Sequence, residues 1–123
     1  MDKFLTNKGE LERYKRNDEI VRKTGLQIRK DFAQFGFNID LPENMSIAYN
    51  TLYDQLSPLI EKMLNESISK LYSILYCIDL NENAIREGIA EMSHLKPHDA
   101  ITHLILEREL KKVITRDYFS RKM

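Results

Sequence analysis

Residues 10–35, ELERYKRNDEIVRKTGLQIRKDFAQF, decide the fold class. Leu11, Tyr14, Val21, Ile28, Phe32 and Phe35 recur on an alternating three-four spacing, the period of one face of an α-helix. Glu12, Arg13, Lys15, Arg16, Glu19, Arg22, Lys23, Arg29 and Lys30 fall between them, as on the solvated side of an amphipathic helix. Asp18 and Gly25 occupy the two remaining seam positions. A carboxylate there needs a partner, and a mid-helix glycine costs about 1 kcal/mol relative to alanine, so the spacing predicts a bend or a close helix approach at Gly25.

Working outward, Gly36 suits a helix stop, and Leu41-Pro42 favours extended backbone. Phe37, Ile39 and Leu41 alternate, which predicts a short strap laid over the bundle end, with Asn44 or Ser46 capping the next helix. A second helical region is expected from about Met45 to Ile78. Ser57-Pro58 has the form of an N-cap followed by a first-turn proline, so a break or kink is predicted there. Ile60, Leu64, Leu71, Leu75 and Ile78 share one side, widened by Met63, Ile68, Tyr72 and Ile74. The run Leu71–Ile78 carries no charge, which marks it as the expected centre of the core, with Cys77 an inert buried thiol. Asn81 reads as the cap of a short helix holding Ile85, Ile89 and Met92 inward. Pro97 opens a last helix to about Tyr118 with Ile101, Leu104, Ile105, Leu106, Leu110, Val113 and Ile114 buried; Glu107, Arg108, Glu109, Lys111 and Lys112 are expected on one wet face.

The chain is therefore expected to be all-α: an antiparallel bundle of about four main helices plus one short helix, forming a single domain over residues 1–123 with ends 1–8 and 119–123 disordered. Four Gly and three Pro among 123 residues fit a few short loops and leave little for a many-stranded sheet. A hydrophobic fraction of 42% with 31% charged residues belongs to a globular chain. One cysteine excludes an intrachain disulfide. No secretory h-region opens the sequence, and no apolar run reaches membrane-spanning length; a cytoplasmic protein without a membrane partner is expected.

Formal charge is zero, 19 basic against 19 acidic residues, yet unevenly spread: positive over residues 1–40, negative over 41–95 and positive over 96–123. Basic outer helices beside an acidic middle account for this pattern without a ligand. His94, His98, Asp99 and His103 are the metal-ligand candidates. The His98-Asp99 pair resembles that of helical metal-dependent phosphohydrolases, which implies a metal held by further His and Asp residues on other helices. His103, however, lies about 140° round the helix from His98. Glu66, Asp79, Glu82 and Glu87 make the middle acidic, but Glu91 with His94 is a single Glu-x-x-His pair where a di-metal bundle uses two. Neither a nucleophile elbow nor a phosphate-cradling glycine loop is present, so no catalytic residue and no cofactor is expected.

Lys111, Lys112, Arg116, Arg121 and Lys122, interleaved with Tyr118 and Phe119, could follow a phosphate backbone. Cations also complement a helix C-terminus, and nucleic acid is the less favoured partner. Tyr49 with Tyr53 and Tyr72 with Tyr76 are four-residue aromatic pairs, the interface candidates, with Tyr72 and Tyr76 beside the main apolar line. The segments Leu75–Asp79 and Ile105–Arg116, 17 of the 123 residues, resemble segments of small bacterial helical proteins that carry no assigned function. The expectation is a non-enzymatic interaction or assembly module, a homodimer or a partner of another protein. A metal-dependent hydrolase and a nucleic-acid binder are the alternatives.

Overall fold

The computed structural model describes residues 8–41 and 47–122, and among them every regular element is a helix: α1 Lys8–Tyr14, α2 Asp18–Ala33, α3 Tyr49–Glu66, α4 Ile68–Cys77, α5 Glu82–Glu91 and α6 Pro97–Lys122. The all-α bundle is thus borne out, with two helices more finely divided than their periodicity suggested. The stretch 10–35 is not continuous. Asn17 is extended (φ −91°, ψ 110°) and its side-chain oxygen accepts the Ile20 amide at 3.0 Å, capping α2 and ending α1. Asp18 and Glu19 then sit in the first turn, where negative charge complements the helix dipole; Asp18 is exposed, not part of a seam.

The second region breaks at Ser67 (φ −146°, ψ 47°), not at Pro58, and α3 runs through the proline. The missing Pro58 N–H removes one internal bond, whereas Ser67 leaves helical geometry altogether and redirects α4. The expected caps Asn44 and Ser46 lie outside the described residues, as does Pro42, and α3 starts at Tyr49 behind Ala48, without a side-chain cap. Asn81 does cap α5, accepting the Ala84 amide at 2.8 Å. Of the two ends expected to be disordered, residues 1–7 lie outside the description and residues 119–122 continue α6.

The main correction concerns the centre. From His98 to Thr115 no residue of α6 is exposed, because α2, α3 and α5 all pack on it. The run Leu71–Ile78 is peripheral by comparison: Leu71, Ile74, Leu75 and Ile78 are buried, while Tyr72, Ser73, Tyr76 and Cys77 face out. Cys77 is consequently an exposed thiol, not a buried one. Lack of charge in Leu71–Ile78 therefore does not reflect neighbours on all sides: uncharged Tyr72, Ser73, Tyr76 and Cys77 form its outer face.

Both long packing partners run antiparallel to α6. Along α3, Glu61 stands by His98 (3.9 Å) and Tyr53 by Asp99 and His103; along α2, Lys23 pairs with Asp117 (3.0 Å) and Gln27 with Arg116 (3.1 Å). Phe32, Leu52, Leu56, Ile60, Leu71, Leu75, Ile105 and Leu106 make up much of the main core. Leu11, Ile20, Leu110, Val113 and Ile114 form a smaller cluster toward the other end of α6. Truncating a fully buried member such as Ile105 to alanine should cost about 2–5 kcal/mol.

The strap packs as expected. Ile39 is buried, Phe37 and Leu41 lie against the core, and the Gln55 amide donates to the Asp40 carbonyl. A Cβ on Gly25 would stand 3.1 Å from Leu52 and 3.4 Å from Leu41, so this glycine permits the close approach its position predicted. The α4 C-terminus is closed by Asp79 in the left-handed region (φ 66°), with the Leu80 amide donating to the Leu75 carbonyl at 2.8 Å. Arg108 of α6 fixes this turn from outside, donating to the Ile78 carbonyl (3.0 Å) and to the Asp79 carboxylate (3.2 Å).

Candidate functional site

The outer face of α4 is the most conspicuous apolar surface on the described residues. Ile68, Tyr72 and Tyr76 follow one another at intervals of four, so they stack into a ridge along the helix. They are 47%, 47% and 81% exposed, and Lys70 is the only charge in α4. Beside the ridge lies a hollow of about 320 Å³ between α4 and α5, lined by Tyr72, Glu82, Ile85, Arg86 and Ile89. Ridge and hollow share Tyr72. Cys77 opens to solvent next to Tyr76.

The other aromatic pair is placed differently. Tyr49 and Tyr53 both pack against the core, Tyr49 with Lys15 over its ring at 5.0 Å and Tyr53 with its ring centroid 4.7 Å from that of His103. Burial raises the Tyr49 hydroxyl far above its ordinary value, and burial followed by the bond to Asp99 pushes Tyr53 up to about 12. Both therefore remain protonated, and Tyr53 acts as a hydrogen-bond donor.

That donor belongs to a polar knot at the start of α6. Asp99 Oδ1 accepts from Ser57 Oγ at 2.6 Å and from Tyr53 OH at 2.8 Å, and His98 Nε2 stands 3.6 Å away. The two hydroxyls, Ser57 first, hold the Asp99 carboxyl below its usual range, and its position in the first turn of α6 adds the favourable helix dipole. Ser57 serves as a cross-helix donor here; the N-cap expected of it does not form. His98 also lies 3.9 Å from Glu61, whereas His94 is exposed in the α5–α6 turn and burial lowers the His103 imidazole below its ordinary pKa. Among the described residues no three His, Cys, Asp or Glu side chains group so as to hold a metal ion. The knot joins α3 to α6; Ser57 has a carboxylate partner and no imidazole base in hydrogen-bond contact.

The candidate phosphate-binding cations are also divided. Lys112 lies 3.5 Å from Glu109, Arg116 donates to Gln27, and Lys111 is half-buried; the side chains of Arg121 and Lys122 are outside the description. Glu109 was expected on a wet face and is instead 0% exposed, because α2 covers that side of α6. It meets Asp31, 9% exposed, across the helix seam. Without a proton, neither Glu109 oxygen nor Asp31 Oδ2 has a hydrogen-bond partner. Burial, then Asp31, push Glu109 up to about 8, with Lys112 pulling the other way, so near neutral pH Glu109 keeps its proton and donates to Asp31. No periodicity flags this pair. Its only sequence signal is that both acids adjoin strongly apolar positions, Phe32 and Leu110.

Among the described residues no helix is long and apolar enough to cross a membrane. No protein-family model, no curated protein and no solved structure matches the chain.

Proposed function

We propose that the protein is a non-enzymatic assembly module that self-associates through α4 and α5 into a two-fold homodimer. The observation that carries this reading is the Ile68–Tyr72–Tyr76 ridge lying beside its own hollow. A two-fold axis places the same patch on both sides of an interface, so a patch must contain both the projecting and the receiving shape. Tyr76 projects, and the space between Tyr72, Ile85 and Ile89 receives. Glu82 and Arg86 give the lining both charge signs, which lets each pair with its opposite on the second copy. Tyrosine suits such a centre because its ring buries a large area while its hydroxyl tolerates a wet edge.

The test is solution mass by light scattering over a range of concentrations and at two salt levels. The expected species has twice the 14.6 kDa chain mass, and Tyr76→Glu should weaken association at least about tenfold. Tyr76 is 81% exposed, so this variant keeps the monomer fold, checked by its circular dichroism. A monomer at every concentration up to about 1 mM overturns the proposal.

A further inference from the structure

Between them, α2 and the second half of α6 leave a groove of about 410 Å³. Leu26 and Val113 supply its apolar lining and Lys23, Lys30 and Arg116 its cations. Lys23 is already engaged by Glu19 and Asp117, each at 3.0 Å. Lys30 has no carboxylate within ion-pair distance among the described residues, and Arg116 binds a neutral amide, so two of the three cations retain uncompensated charge at the groove.

Arg116 is held by a directed chain. Its Nη2 donates to Gln27 Oε1 at 3.1 Å, and Gln27 Nε2 donates to Asp31 Oδ1 at 3.0 Å. Because the Gln27 amide must give its N–H to a carboxylate, its carbonyl is turned toward Arg116. Asp31 is in turn held by protonated Glu109. A helix seam built for stability alone would place two apolar residues where Asp31 and Glu109 sit, since burying carboxyls is unfavourable. Their presence supports the orientation of a guanidinium at the mouth of a groove, the usual arrangement behind a residue that must be held in place.

We infer that the α2–α6 groove binds an organic anion with an apolar body, its head between Lys30 and Arg116 and its body on Leu26 and Val113. Arg116 is the binding residue and Gln27 the positioning residue. The planar guanidinium, with donors left over after Gln27, suits a carboxylate or a phosphate head.

Calorimetric titration of the full chain with octanoate, octyl phosphate, octanol and inorganic phosphate tests this assignment and distinguishes the two heads. Saturable one-to-one binding of octanoate or octyl phosphate, at least about tenfold tighter than octanol, is expected. Arg116→Gln should abolish that preference while octanol binding persists, and Gln27→Leu should reduce it in the same selective way. A general loosening of the fold would instead weaken anion and alcohol together. Lys62→Gln, an exposed change on α3, should alter nothing. The inference is overturned by any of three results: neither octyl anion saturating, inorganic phosphate binding as tightly as octyl phosphate, or Arg116→Gln leaving the preference intact.

Discussion

Two carboxyl sites on α6, one in its first turn and one ten residues further on, treat the same functional group in opposite ways. Asp99 sits at a partly open edge, accepts two hydroxyl hydrogen bonds and is held ionised; Glu109 sits under α2, meets another acid and is held protonated. The difference is one of supply. Ser57 and Tyr53 bring donors to Asp99, whereas Glu109 receives burial and a like-charged neighbour, with Lys112 at 3.5 Å only partly offsetting them. A helix dipole near Asp99 adds to the contrast. Position along a helix thus says little about a carboxyl's charge state until its cross-helix partners are known.

The sharpest way to break this contrast is pH. Glu109 has a folded pKa of about 8 against an ordinary value of 4.5. Its burial carries no ionisation penalty below the lower value. As pH rises the unfolded chain ionises while the folded one stays protonated, and stability falls until about pH 8. The slope should approach about 1.4 kcal/mol per pH unit, on the order of 3–4 kcal/mol between pH 5 and 8. Urea denaturation across that interval measures it, and Glu109→Gln should flatten the curve; an unchanged slope in the variant would refute the protonated pair. Asp99 has the opposite sign. Its folded pKa lies below the ordinary 3.8, so its contribution is present above that value and lost as pH falls through the folded one.

A smaller effect is expected at the Asp99 end. Ser57→Ala and Tyr53→Phe should each cost about 1–2 kcal/mol at pH 7, since each removes one charge-assisted bond. The losses should shrink as pH falls through the folded pKa of Asp99, and losses that persist in acid strong enough to titrate Asp99 in the folded protein, followed by NMR of its carboxyl carbon, would show that packing, not charge, dominates there. Asp79 sharpens the scale from below. Its carboxylate is exposed beside Arg108, and its left-handed backbone favours glycine. Asp79→Gly should therefore raise stability, by less than about 1 kcal/mol, the backbone gain outweighing a weak surface pair.

Much of the helical framework was legible because periodicity reports which residues share a face. The stripe of Leu11, Val21, Ile28 and Phe32, the Asn81 cap and the close approach at Gly25 all follow from local rules. The break at Asn17 was hidden because the charges flanking it continue the amphipathic pattern on both sides. Glu109 was unreadable for a different reason: between Arg108 and Leu110 it looks like any member of a wet face, and only the packing of α2 over that side buries it. The uncharged run of α4 from Leu71 to Cys77 misleads in the other direction, resembling a core helix although Tyr72, Ser73, Tyr76 and Cys77 meet solvent. Tyr72 and Tyr76 stood out beside the main line; the hollow between α4 and α5 depends on how two helices cross, which spacing along one chain does not encode.

The helix on which α2, α3 and α5 pack is also the last of the six to be synthesised. During translation those three present apolar faces with no central partner until α6 emerges, so their assembly waits on late synthesis instead of proceeding helix by helix. Nascent chains halted before Pro97 should be sensitive to protease and bound by chaperones, and protection should appear abruptly once α6 has cleared the exit tunnel.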